Sequence, residues 1–99
     1  MIIVSTTANV LPEKRENFLA LLPSLIQSSQ NDEGCISYQV FEELSNPNSF
    51  HFFGKWATQE DIDAHLQAVH TKSFLDIVPS LVSKEPIMKF YKVEGIKSA

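Results

Sequence analysis

The sequence contains a single cysteine and no apolar run close to 20 residues. Because Cys35 cannot form an intrachain disulfide, we expect a protein of the reducing cytoplasm. Neither a basic leader followed by an apolar segment nor a long apolar run is present, so we expect no secretion and no membrane span. The formal charge of −4 argues against nucleic acid or an anionic membrane surface as the main partner.

Cofactor motifs are equally scarce. The three glycines do not form a phosphate-binding loop, and one cysteine cannot supply a thiolate cluster. His65 and His70 lie five positions apart. Side chains meet on a helix when they are three or four positions apart, so this spacing is poor for two metal ligands on one helix. We therefore expect no metal, flavin or haem.

What the chain does contain is the composition of one globular domain, with 43% of its 99 residues hydrophobic and 20% charged. Residues 2–10 alternate in strand fashion and are rich in β-branched side chains, which predicts a strand. A helix follows, for which Pro12 suits the first turn and Pro23 predicts a kink or a tightened last turn. Its apolar stripe is formed by Phe18, Leu21, Leu22 and Leu25.

A hairpin is predicted in the middle of the chain. Residues 35–43 and 50–56 alternate as strands, and the Ser-Asn-Pro-Asn segment at residues 45–48 predicts the turn between them. Gly54 either leaves room beside Trp56 for a close neighbour or marks a bulge. One face of the first strand is predicted to carry Ile36, Tyr38 and Val40.

Two helices and a final strand complete the pattern. Thr58 and Asp61 resemble a capping box that begins a short helix, and a second helix starts near His70. Its stripe comprises Phe74, Ile77, Val78 and Leu81, and Pro79 is expected to bend or end it. Residues 87–93 are predicted to form the last strand. This order predicts an α+β fold of the ferredoxin-like βαββαβ type, with a four-stranded antiparallel sheet and helices on one face.

The predicted strands carry apolar groups on both faces, for example Phe52 and Trp56 on one side of a strand and Phe53 on the other. A face exposed to solvent is normally more polar. A second copy that packs sheet against sheet would cover the free face, so we expect an isologous homodimer.

Several segments together resemble one family. They are LPEKRENF after the first strand, DEGCISYQV after the first helix, NPNSFHFFGKW in the hairpin and, most specifically, AHLQAVHTKSF at residues 64–74. The chain resembles the antibiotic biosynthesis monooxygenase (ABM) domain family, in particular its quinol-monooxygenase-like members. The resemblance covers nearly all of residues 1–99 and implies a single domain with the dimeric α+β barrel fold.

The resemblance implies oxidation of a small aromatic quinol or phenol by O₂ without metal or flavin. Such chemistry requires an apolar cavity, a base and hydrogen-bond donors for the developing oxyanion. His65 is the candidate base, because a histidine titrates near neutrality. Candidate substrate-binding residues are Trp56 and Phe52 as stacking walls, Tyr38 and Asn9 as donors, and His70. Asn9 and Thr6 have opposite strand parity, so both cannot face the same pocket.

Other interpretations stay open. One related branch resembles the isomerase that processes phosphorylated autoinducer-2. A phosphosugar should favour basic groups in its pocket, for which Lys55 and Lys89 are the only obvious candidates. The same fold also suits a second alternative, a non-catalytic dimer that binds a small ligand. Trp56 also fits an ordinary core position, His65 fits a hydrogen-bonded structural histidine, and His70 fits a helix start.

Overall fold

The computed structural model describes residues 1–98, and a four-stranded antiparallel sheet forms one of its two layers. The strand order is β2-β3-β1-β4, so the outer strands β2 and β4 flank the pair formed by β3 and β1. The strands are β1 (Ile2–Asn9), β2 (Cys35–Glu42), β3 (Ser49–Trp56) and β4 (Ile87–Lys92). The predicted α+β ferredoxin-like fold is confirmed.

Helices form the second layer, on one face of the sheet. A 3₁₀ turn at Pro12–Lys14 leads into the first helix, and another at Val78–Ser80 contains Pro79 and ends the last one. The helices are α1 (Arg15–Gln30), α2 (Gln59–Gln67) and α3 (Val69–Ile77). Helix α1 continues through Pro23, so this proline does not end it. No helix within residues 1–98 has the length and hydropathy needed to cross a lipid bilayer.

An aromatic cluster joins the two layers. Phe18 of α1 is completely buried, and its ring centroid lies 4.9 Å from that of Phe50 and 6.1 Å from that of Phe52 on β3. The ring centroid of Phe74 on α3 lies 6.0 Å from that of Phe18. Offset and edge-to-face aromatic pairs at these distances add to the stabilisation that burial provides. This cluster fixes α1 and α3 over the middle of the sheet.

A bulge near the start of β2 corrects one prediction. The register between β2 and β3 shifts between Cys35 and Ser37, and Ile36 is 57% exposed. The extra residue leaves Ile36 outside the inner face, whereas Tyr38 is buried there as predicted. Simple alternation could not reveal this, because a bulge changes the parity of the residues before it.

The break between α2 and α3 determines how the two histidines approach each other. Thr58 caps α2 as predicted, and its hydroxyl accepts a hydrogen bond from the Asp61 amide at 3.1 Å. Ala68 then adopts an extended conformation (φ −65°, ψ 147°), which ends α2 and starts α3. His65 and His70 therefore lie on two differently directed helices.

The face of the sheet opposite the helices is uncovered. It presents apolar side chains on the outer strands, of which Phe41 and Ile87 are each 53% exposed and Tyr91 is 49% exposed. His51 and Phe53 of β3 are on the same face and are only partly buried. An apolar sheet face of this kind is typical of a surface that another molecule covers.

Candidate functional site

A cavity of about 70 Å³ lies between the sheet and the helices. Its wall is predominantly apolar, and the polar residues that line it are Thr6, Tyr38, His65 and Thr71. The sheet side of the wall also includes Val4, Ala8, Phe52, Gly54, Trp56 and Met88, and the helix side includes Leu25, Ile62, Leu66, Phe74 and Leu75. A small apolar cavity with a few polar groups is a suitable site for a small organic ligand.

His65 occupies the helix side of this wall. It lies in the last turn of α2, is only 7% exposed, and its ring centroid is 4.5 Å from the Trp56 indole and 5.7 Å from the Tyr38 ring. Burial lowers the pKa of His65, and its hydrogen bond with Asp32 partly opposes that effect. The imidazole is therefore suited to be neutral near pH 7, the form in which it can accept a proton.

Asp32 determines which nitrogen of His65 is the basic one. The Asp32 Oδ2 atom lies 2.7 Å from His65 Nδ1. Since an ionised carboxylate only accepts hydrogen bonds, Nδ1 carries the proton and Nε2 carries the lone pair of the neutral ring. Nε2 has no hydrogen-bond partner among residues 1–98. The arrangement presents a histidine whose second nitrogen is free to act as a base.

His70 lies behind His65 and not in the cavity wall. Its Nε2 atom is 2.8 Å from the same Asp32 Oδ2, so this carboxylate oxygen accepts from both histidines. His70 follows Val69, the first residue of α3, in agreement with a place near the helix start. Its ring contacts Asp32 and is not part of the cavity wall, so the predicted role of His70 in substrate binding stays a prediction that this placement does not support.

The three side chains also have the composition of a metal site. Their ligand atoms (one oxygen of Asp32 and one nitrogen each of His65 and His70) all lie within 4.8 Å of one another. The five-residue separation of the histidines does not exclude metal binding, because Ala68 ends α2 between them. The spacing rule applies only to side chains on one continuous helix.

The predicted aromatic walls line the cavity. Phe52 and Trp56 of β3 are 6% and 1% exposed. The absence of a side chain at Gly54 leaves room for the Trp56 indole, since a Cβ atom there would lie 2.7 Å from the Trp56 Nε1 atom. The close approach at Gly54 is therefore the correct one of the two predicted alternatives, and the bulge lies in β2 instead.

Tyr38 lies beside these walls with its hydroxyl protonated. Burial raises the pKa of Tyr38 to about 12, so the phenol stays neutral at physiological pH. A neutral phenol can donate a hydrogen bond to an oxygen that gains negative charge. Tyr38 is therefore placed as predicted, in the wall of the cavity.

Asn9 does not share this cavity. Val4, Thr6 and Ala8 of β1 line it, and alternate residues of a strand point to opposite faces, so Asn9 belongs to the open face. The role of Asn9 as a donor to the substrate stays a prediction, which this placement outside the cavity does not support. Thr6 is the polar residue that β1 contributes instead.

Two further polar residues of the site are not evident from sequence. Asp32 lies in the turn after α1, where acidic residues are usually solvated, and Thr71 is 5% exposed with its hydroxyl 3.3 Å from His65 Nδ1. The only available signal for Thr71 is its place inside the AHLQAVHTKSF segment. Asp32 is 33 residues from His65, so only the tertiary fold brings them together.

Comparison with known proteins gives a consistent result. The family model described as "Antibiotic biosynthesis monooxygenase" matches residues 1–77. The Bacillus subtilis protein named "Putative monooxygenase YcnE" is 35% identical over 75 residues, which are 76% of this chain and 79% of that protein. "Uncharacterized protein sll1783" of Synechocystis is 36% identical over 92 residues, or 93% of this chain, and the chain spans 63% of its length.

Solved structures agree with these sequence matches. A crystal structure of a conserved protein from Methanosarcina mazei Go1 has a TM-score of 0.89 at 32% identity and covers 92% of this chain and 90% of that one. A crystal structure described as an antibiotic biosynthesis monooxygenase has a TM-score of 0.90 at 18% identity, which concerns the fold alone. The chain belongs to the antibiotic biosynthesis monooxygenase family.

Proposed function

We propose that the protein is a monooxygenase that oxidises a small aromatic quinol or phenol with O₂ inside this cavity, without metal or flavin. The observation that carries the proposal is the state of His65: it lines the cavity, and its Nδ1–H is held by Asp32. A base with one engaged and one free nitrogen can remove a hydroxyl proton from a substrate in the cavity.

Deprotonation is the step that the protein has to supply. When the phenolic O–H gives its proton to His65 Nε2, the resulting phenolate can transfer an electron to O₂ directly. With a phenol as substrate, the O–H group, one ring C–H group and O₂ give a quinone and water. With an anthrone, whose enol form carries the O–H group, a CH₂ group and O₂ give a C=O group and water. The substrate supplies all the electrons, so no external reductant is needed. The chain's contribution is to orient the substrate, remove the proton and exclude water.

The remaining residues of the cavity have matching roles. Phe52 and Trp56 provide flat apolar walls for an aromatic ring, and the protonated Tyr38 hydroxyl donates to the oxygen that becomes negative. Asp32 is a positioning residue, because it touches His65 and not the cavity. It keeps the proton of the neutral ring on Nδ1.

The isomerase alternative receives less support from the cavity wall. A phosphorylated sugar requires positive charge for its phosphate. Within the described part of the chain, neither lysine nor arginine lines the cavity. Lys55 has the strand parity of the open face, and Lys89 is exposed.

We further propose that the protein is a homodimer in which the open faces of two sheets pack together. The exposed Phe41, Ile87 and Tyr91 would be covered in this way. Light scattering at micromolar concentration should give a particle of twice the 11.2 kDa chain mass. Phe41→Asp should shift it towards the monomer, since a charge would then be buried in the interface.

Leu44→Asp is the matched control for the dimer. Leu44 is fully exposed next to β2, outside the sheet. This variant should scatter light as the wild type does. A wild-type particle of 11.2 kDa would contradict the proposed dimer.

Oxygen uptake by the wild-type protein tests the proposed function. A Clark electrode should record substrate-dependent, saturable O₂ consumption with at least one member of a panel of naphthoquinols, benzoquinols and anthrones, above the rate of autoxidation. His51→Gln is the control, because His51 lies on β3 with the opposite parity to Phe52 and away from the cavity. Saturable binding with no oxygen uptake over the whole panel would instead indicate a non-catalytic binding protein.

A further inference from the structure

We propose that Asp32, His65 and His70 form a site for one divalent transition-metal ion of the zinc class, on the side of His65 away from the cavity. We also propose that the bound ion inhibits the enzyme by changing His65 from a proton acceptor into a donor. The second statement rests on the proposed function, whereas the first does not.

The distances between the ligand atoms are close to those of a metal site. Asp32 Oδ2 lies 2.7 Å from His65 Nδ1 and 2.8 Å from His70 Nε2, and the two nitrogens are within 4.8 Å of each other. Ligands bound to zinc at about 2.0–2.1 Å in a tetrahedron lie about 3.3 Å apart. Side-chain rotations that open the two hydrogen bonds by about 0.6 Å and bring the two nitrogens towards a separation of about 3.3 Å would therefore admit an ion of this size.

Hydrogen-bonded backbone holds all three ligands, two on helices and one in a turn. His65 is in α2 and His70 in α3, and the Ala68 carbonyl between them accepts hydrogen bonds from the Thr71 and Lys72 amides. Asp32 is held by its own amide, which donates to the Ser29 carbonyl at 3.1 Å. Ligands whose backbone is already hydrogen-bonded lose less conformational entropy when they bind an ion.

The donor set and its accessibility favour a zinc-class ion. Two imidazole nitrogens and one carboxylate oxygen suit Zn²⁺ or Co²⁺, whereas Mg²⁺ and Ca²⁺ prefer oxygen donors throughout. The Asp32 and His70 side chains retain 20% and 23% exposure, so an ion can enter from solvent and keep water as its fourth ligand.

Metal binding would change the protonation of both histidines. Without a metal ion, each histidine donates a hydrogen bond to Asp32. An ion bound to His65 Nδ1 displaces the proton from that atom, and in a neutral ring the proton moves to Nε2. At His70, the proton of Nε2 moves to Nδ1 in the same way. His65 then presents an N–H group where the proposed reaction requires a lone pair.

Cobalt provides a direct probe of the site, because its visible absorption reports the ligands and their number. Metal-free wild type should bind one Co²⁺ per chain and develop bands typical of nitrogen and oxygen ligation. His70→Ala and Asp32→Asn should each weaken Co²⁺ binding by at least about 100-fold, the upper end of what even outer-sphere partners of a metal contribute. His51→Ala removes the third histidine of the chain and should bind Co²⁺ as the wild type does.

Any one of three results would contradict the proposed metal site. The wild type could show no saturable Co²⁺ absorption, His70→Ala could bind Co²⁺ with unchanged affinity, or His51→Ala could lose binding. A circular dichroism spectrum of each variant establishes that it is folded. Asp32→Glu provides a second test, since it keeps the carboxylate and should retain more affinity than Asp32→Asn.

The inhibitory effect is tested separately with stoichiometric Zn²⁺. If the wild type consumes O₂ with a quinol, Zn²⁺ should abolish that activity, and a chelator should restore it. His70→Ala should keep its own metal-free rate at the same Zn²⁺ concentration. Equal inhibition of both proteins would overturn the proposed inhibition. If Co²⁺ binds but no substrate is oxidised, the metal site stands and the proposed monooxygenase function fails.

Discussion

His65→Ala should lower the rate of quinol-dependent oxygen consumption by roughly 10²- to 10⁴-fold, the usual range for the loss of a general base. The reason is that His65 is the residue with a free basic imidazole nitrogen in the cavity wall of residues 1–98. The remaining rate comes from the apolar walls, which still bind and orient the substrate. Initial rates should be normalised to folded protein, measured by circular dichroism.

Two further variants distinguish a base from a structural residue. His65→Gln preserves much of the side-chain volume but has no basic nitrogen, so its rate should be as low as that of His65→Ala. Asp32→Asn should lower the rate by about 10-fold or more, because the amide no longer selects the Nδ1–H form of the ring. A folded His65→Gln protein with the wild-type rate would remove His65 from the mechanism.

Phe18→Ala should destabilise the fold by about 3–5 kcal/mol, the usual cost of removing a buried phenylalanine side chain. Phe18 is fully buried and contacts the rings of Phe50, Phe52 and Phe74, so its loss leaves a cavity at the junction of the two layers. Urea unfolding followed by circular dichroism measures the change.

Matched variants keep this prediction testable when Phe18→Ala does not fold. Phe18→Leu removes fewer buried atoms and leaves a smaller cavity, so it should cost clearly less than Phe18→Ala. Leu44→Ala, at a fully exposed position, should change the free energy of unfolding by no more than about 0.5 kcal/mol. Equal effects of Phe18→Ala and Leu44→Ala would show that the aromatic cluster is not the centre of the core.

The fold was predictable because local patterns and turn signals agree along the chain. Strand alternation, the turn at Asn48 and the Thr58 cap all have causes within a few residues, and each occurs in the structure. Asn48 has φ +70°, and Gly34 has φ +77°, the left-handed conformation that asparagine and glycine tolerate best.

The errors have two different causes. The bulge after Cys35 changes the parity of β2 and exposes Ile36, and no glycine or proline, the residues that usually mark such positions, lies at residues 35–37. Two helices were predicted around the histidines, but the spacing rule was applied as if His65 and His70 shared one helix. Their close approach depends on the directions of the two helices, which the spacing does not give.

The cavity was predictable only in part. Phe52, Trp56 and Tyr38 follow from strand alternation, since their parity places them under the helices. The partner of His65 does not follow, because Asp32 comes from a turn 33 residues earlier in the chain. Such an arrangement depends on how α1 packs against the sheet, which periodicity does not determine.

The protonation state of His65 tests the central claim most directly. A long-range ¹H–¹⁵N correlation spectrum of the metal-free, ¹⁵N-labelled protein at neutral pH separates the two tautomers, with His51 as the internal reference. The structure predicts that His65 carries its proton on Nδ1 and that a quinol added under argon shifts the Nε2 resonance of His65 but not the resonances of His51. A proton on Nε2, or a His65 signal that does not respond to any bound quinol, would contradict the proposal that His65 is the base of this cavity.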